Sequence, residues 1–106
     1  MSLVTECQTD LHYCARSLAE LEQHRPHSTL DRWLYLNSRR NLLGQLADAA
    51  ANLADAHEEA DDLPAARGTT ELAEHYLYLH SVADGRVEEF RPVVVRAIDS
   101  ALGTRR

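Results

Sequence analysis

Apolar residues recur at spacings of three and four along almost the whole chain. Val4, Cys7, Leu11, Cys14, Leu18 and Leu21 form a heptad seam, the pattern of a helix with one buried face. Thr5 followed by Gln8 suits a capping box, so a first helix is expected over about residues 4–24. Pro26 disfavours helix at the residue before it, and the stretch HRPHS ends the element. A second helix is expected over about 29–60, opened by Ser28 or Thr29 with Asp31 in its first turn. Its later part carries a stripe of Leu42, Leu46, Ala49, Ala50, Leu53 and Ala60. At about 100° per residue, Leu30, Trp33 and Leu34 fall roughly opposite that stripe. NSRR, residues 37–40, interrupts the pattern and puts Arg39 in the seam. Either the helix bends there or its first turns face a second partner surface, and the need to cover Trp33 favours the surface.

Asp62 and Pro64 open a third helix, expected over about 64–84, that buries Leu72, Tyr76, Leu79 and Ala83. Gly85 ends or loosens it. Val87, Phe90, Val94, Ala97 and Ala101 carry the helical period into a fourth helix over about 87–102, with Pro92 kinking it or marking its true start. The triple valine Val93–Val95 has strand propensity, but the periodicity outweighs so short a run. GTRR is expected to fray. The segment NLADAHEEADDLPAARGTTELAEHYL resembles a single tetratricopeptide-type hairpin, with Ala54, Ala66 and Ala73 near the packing positions. One unit makes no array and supports only a tight turn. The expected fold is all-α, an antiparallel four-helix bundle in one domain, 1–106, whose second helix is the longest.

Charge narrows the partners. The net charge is −6 and all 11 basic residues are arginine. An acidic chain without a basic run is a poor nucleic-acid binder. MSLVTECQTD has neither the cationic start nor the apolar run of a leader, and no stretch reaches the roughly 18 apolar residues of a membrane span. A cytoplasmic protein without nucleic-acid or membrane partners is the expectation. Cys7 and Cys14, seven apart, are separated by about 10 Å along one helix face, too far to bridge each other. They read as buried thiols in a reducing compartment. The sharper alternative is a cross-link or shared metal between two copies.

The densest cluster of reactive side chains is ELAEHYLYLH, residues 71–80. Glu71 and Glu74 share a side of the helix, and Glu71 also neighbours His75. Paired carboxylates at that spacing suit Mg²⁺ or Mn²⁺; the plainer reading is a surface Glu–His pair worth a few tenths of a kcal/mol. ELEQH repeats the pattern with Glu20 and His24, but ferritin-like di-metal bundles use Glu-x-x-His, three apart. His57 falls in the apolar stripe and reads as a hydrogen-bonded core histidine. There is no Gly-rich phosphate loop, CxxC or HExxH.

The run from Asn41 to Ala101 resembles the all-helical MazG-type nucleoside triphosphate pyrophosphohydrolases. Their Glu-Glu-x-x-Glu and Glu-x-x-Asp helices bind Mg²⁺ and convert nucleotides to monophosphate and pyrophosphate. Glu71 and Glu74 stand where Glu-x-x-Asp belongs, while Asp48, Ala49 and Asn52 occupy the three glutamate positions of the first motif. The resemblance thus implies a Mg or Mn site at Asp48, Glu71 and Glu74, with one ligand shortened, one lost and one neutral. Asp48, Asn52, Asp55 and Glu59 form a stripe roughly opposite Leu46 and Leu53, the position of a solvated face.

The leading expectation is therefore a non-catalytic interaction or regulatory protein without a cofactor. The seam of the first helix and the displaced Trp33 patch both suggest that it binds itself, most simply as a twofold homodimer, or that it binds another protein. Its anchors are Leu30, Trp33, Leu34, Arg39 and Arg40, aromatic and arginine residues being the usual ones. A Mg- or Mn-dependent nucleotide pyrophosphohydrolase, active or inactive, is the alternative. A metal-storing or metal-sensing bundle is a third reading, weakened because the six histidines do not cluster.

Overall fold

The computed structural model describes residues 2–103; the end of the GTRR tail, 104–106, lies outside them. Three helices follow one another: α1, Leu3–Glu22; α2, Thr29–Glu59; and α3, Leu63–Gly103. No strand occurs among the described residues. The class is all-α, but the expected four-helix bundle is corrected to three helices. The longest is α3, with 41 residues, not the second helix, with 31.

The miscount lies at Gly85 and Pro92, which do not divide α3. Gly85 is exposed and has open space where a Cβ would stand, so it costs helix propensity without ending the helix. Pro92 removes one backbone donor, yet both flanks are anchored to α2. Val87 is wholly buried, Val94 is buried, and the Phe90 ring stacks on Trp33 at 6.5 Å. Arg91 pairs with Glu88 across the same turn through two hydrogen bonds of 3.2 and 3.0 Å. Tertiary packing therefore overrides the local helix breaker.

The caps are built from side chains beside each helix. Ser2, not the expected Thr5, caps α1, its Oγ accepting from the Thr5 N–H at 3.1 Å. Ser28 caps α2 and accepts from the Asp31 N–H at 3.1 Å. Helix α2 then runs unbroken through 37–40. At its end Asp61 takes a left-handed backbone, φ 62°. This lets the Asp61 N–H donate to the Glu58 carbonyl at 3.0 Å and the Asp62 N–H to the His57 carbonyl at 2.9 Å, the paired bonds of a Schellman motif. Asp62 Oδ1 accepts from the Ala65 N–H at 3.2 Å and starts α3 at once.

That turn sets an antiparallel register. Arg40 meets Asp84, a Cβ on Gly44 would stand 3.2 Å from the His80 ring, and Arg91 lies over Trp33. The two members of each pair are equally far from Asp62 along the chain. Residues beyond about 95 therefore extend past the start of α2. The molecule is a rod of 66 × 22 × 18 Å with a radius of gyration of 18.1 Å, against about 13 Å for a compact chain of this length.

Helix α1 lies along the other side of α2. Cys7 packs with Leu53 and Ala56, flanked by Val4 and Leu11. Leu11, Cys14 and Leu18 pack against Leu43, Leu46 and Ala83. The heptad seam is thus consumed within the chain. No Cα of α1 comes within 8 Å of α3, so α2 is the central element. Leu43, one residue from the expected Leu42, is wholly buried. Among the described residues, eight of the fourteen buried apolar side chains are alanines, so α2 and α3 come close together but bury little area per residue.

A continuous α3 makes two substitutions stabilising. Gly85→Ala should raise stability by about 0.5–1 kcal/mol, and Pro92→Ala by about 1–3 kcal/mol, in urea melts of the full chain. Were Gly85 a helix terminus, Gly85→Ala would destabilise.

Candidate interaction surface

The five expected anchor residues do not form one patch. Leu30 and Leu34 are exposed, at 58 % and 56 %. Trp33 is half-buried and faces α3. Its ring stacks on Phe90, and the Arg91 Cζ lies over it, 5.5 Å from the ring centroid. Arg32 Cζ lies over Phe90 at 5.7 Å. The result is an arginine–aromatic stack that fastens the start of α2 to α3, with cation–π attraction added to the apolar contact.

The two arginines of NSRR are also turned inward. Arg39 Nε donates to Glu22 Oε1 of α1 at 3.3 Å. Arg40 donates to Asn37 Oδ1 at 3.0 Å and to Asp84 Oδ1 of α3 at 3.5 Å. Asn37 in turn donates to the Trp33 carbonyl at 2.8 Å. NSRR therefore ties α2 to both neighbours. Leu30 and Leu34, four apart on one face, remain uncovered.

The loop before α2 is held by one carboxylate. Asp31 accepts from the His27 N–H at 3.0 Å and lies 3.0 and 3.1 Å from His24 Nε2 through its two oxygens. The hydrogen bond from the His27 backbone, followed by that from the His24 ring, holds the Asp31 carboxyl below its ordinary pKa. His24 also stacks on Tyr35, with ring centroids 6.3 Å apart. Glu20 is paired elsewhere, with Arg16 at 3.5 Å. The histidine of ELEQH thus closes a loop.

The expected metal residues are placed apart. Asp48, Glu71 and Glu74 are all exposed. Among the described residues, no group of three or more His, Cys, Asp or Glu side chains is arranged to hold a metal ion. In ELAEHYLYLH, Tyr76 and Leu79 reach the core cluster and His75 lies beside Tyr76 at 5.9 Å. His80 sits over Gly44. Cys7 is buried and Cys14 half-buried, both as free thiols. Burial first, then the Asp10 charge, pushes both thiols above their ordinary pKa, which leaves them protonated and poor nucleophiles.

Comparison with protein-family models, curated proteins and solved structures finds no match. The surface itself carries what can be said of function.

Sequence reasoning overlooked the far end of α3. Val95, Ile98 and Leu102 are exposed at 49 %, 51 % and 58 %. Their 3- and 4-residue spacing was legible, but only the register of α3 on α2 shows that this stretch lies beyond its partner helix. An open groove of about 550 Å³ runs from the loop before α2 to Phe90 and Val93 of α3. No helix of the described residues is long and apolar enough to cross a membrane.

Two outcomes check this geometry. Trp33→Ala should destabilise the monomer fold by about 2–3 kcal/mol, since it empties a half-buried aromatic site and ends the stack; Leu30→Glu and Leu34→Glu should each stay within about 0.5 kcal/mol of wild type. Asp31, with its folded pKa depressed, contributes stability above its unfolded pKa of about 3.9, and loses it as pH falls through the lower folded value. The stability difference between wild type and Asp31→Asn, followed by circular dichroism, should therefore be full above about pH 5 and shrink with acidification. An unchanged difference down to the lowest pH would show that the carboxylate is not held this way.

Proposed function

We propose that the chain is a non-catalytic helical interaction protein that associates with itself through the end of the α2–α3 pair. One observation carries the reading: large apolar side chains of both helices, Leu30 and Leu34 on α2 and Val95, Ile98 and Leu102 on α3, are exposed at the same end of the rod. Exposed leucines scattered singly need no explanation, but a grouped apolar face does. The thin alanine core strengthens the argument, because the chain buries few of its large apolar residues internally.

The rest of the molecule supports a rigid presenting scaffold. The arginine–aromatic stack and the Arg39–Glu22 and Arg40–Asp84 pairs fix the first turns of α2 between α1 and α3. Leu30 and Leu34 are thereby shown on a helix whose orientation is already set, which lowers the ordering cost of binding. Regulation of another protein through the same face fits this reading.

Sedimentation equilibrium of the full chain tests it. Wild type should show concentration-dependent mass above the 11.9 kDa chain, and Leu30→Glu/Leu34→Glu should weaken the association about tenfold or more with unchanged helicity. Association that ignores both leucines would place the interface elsewhere and end this reading.

A further inference from the structure

We infer that the exposed C-terminal seam of α3 pairs antiparallel with the same seam of a second copy, giving a twofold dimer whose acidic halves point away from each other. This deepens the self-association reading above and rests on it.

The seam follows from helical spacing. Arg91, Val95, Ile98 and Leu102 are separated by four, three and four residues, the a/d repeat of a coiled coil. Arg91 stands at the level of Trp33, while Val95, Ile98 and Leu102 lie at or beyond the start of α2, so no helix of the described residues lies opposite Ile98 and Leu102. In an antiparallel pair an a position meets a d position. Val95 of one copy then faces Ile98 of the other, and the Arg91 stem lies along Leu102. The seam is self-complementary about a point between residues 96 and 97, as a twofold interface requires. Leu30 and Leu34 are exposed at the same end of the rod, Leu34 lining a groove with Glu20, Leu21 and His24 of the α1 side. A face of about 14 residues of α3 is about 20 Å long, and two helices at 8–10 Å spacing make it about 20 Å wide. That footprint is about 400 Å² in projection, about half of the roughly 800 Å² per partner of a standard interface and in the range of a weak, concentration-dependent dimer.

Charge chooses the second copy and its direction. Residues 3–14 and 45–78, the end of the rod with the α2–α3 turn, carry ten carboxylates and one arginine. Residues 15–44 and 79–103, the other end, carry seven carboxylates and eight arginines. Parallel pairing would lay one acidic half beside the other, and like charges so placed repel. Antiparallel pairing through the α3 ends joins the two nearly neutral halves. It sends the acidic halves to opposite ends of a rod of roughly 110 Å, two 66 Å bodies overlapping by about 20 Å.

The full chain tests this by three measurements. Sedimentation equilibrium of wild type should give a dimer, and Ile98→Glu/Leu102→Glu should raise its dissociation constant at least about 100-fold with helicity unchanged. Mild oxidation of Val95→Cys/Ile98→Cys should give a covalent dimer, while wild type, whose two thiols pack inside, and Tyr78→Cys, on the acidic half, should not. Small-angle scattering should give a maximum dimension of roughly 110 Å. A dimer abolished by Leu30→Glu/Leu34→Glu but untouched by Ile98→Glu/Leu102→Glu, or shorter than about 80 Å, would overturn the antiparallel pairing and leave self-association standing. A monomer at every concentration would overturn both.

Discussion

Asp61 holds a left-handed backbone so that two successive N–H groups can turn back onto the last carbonyls of α2. Everything along the rod is measured from that turn. Because α3 starts at once, both helices climb from Asp62 at the same rise per residue. Arg40 then finds Asp84, Gly44 finds His80 and Trp33 finds Arg91 without any adjustment in either helix. One residue added or removed in the turn would rotate α3 by about 100° and separate all three pairs together.

The same register explains why the two ends of the molecule differ. Near the turn α2 and α3 are both present, and carboxylates such as Asp48, Glu71 and Glu74 are exposed beside single apolar side chains such as Leu63, Leu77 and Tyr78. At the far end α3 outlasts α2, and its apolar repeat continues where no partner helix remains. Helix α1 cannot supply the cover: its seam is used against α2 and its chain turns into the α1–α2 loop after Glu22. The arginine–aromatic stack reinforces the point where α2 begins, so the overhang projects from a fixed base.

Much of this was legible in the sequence, and the losses share one cause. The all-helical class follows from period alone, and so does the apolar seam of α1, but period does not say whether such a seam meets a second copy or, as here, α2 of the same chain. The displaced phase of Trp33 is also visible, but period alone points to a cover outside the chain, whereas Phe90, 57 positions later, supplies it. Arg39 and Arg40 looked like surface anchors because their partners, Glu22 and Asp84, are remote in sequence. Gly85 and Pro92 read locally as punctuation, although Val87, Phe90 and Val94 belong to one continuous repeat. Reflecting the chain about the DDLP turn would have matched Arg40 with Asp84 and Trp33 with Arg91 beforehand. Among the described residues the acidic triad implied by the family resemblance forms no metal-holding group: Glu71 and Glu74 share a side of α3, but Asp48, like them exposed, does not complete a cluster with them.

The alanine-rich contact between α2 and α3 also bears on how this protein responds to temperature. The heat capacity gained on unfolding scales with the apolar surface newly exposed to water, and alanines expose little of it. A chain whose core is mostly alanine, with only Leu43, Leu46 and Val87 as large and fully enclosed side chains among the described residues, therefore has a shallow stability curve. Its folded state gains less from warming out of the cold, and loses less on the approach to heat, than that of a globular domain of equal length.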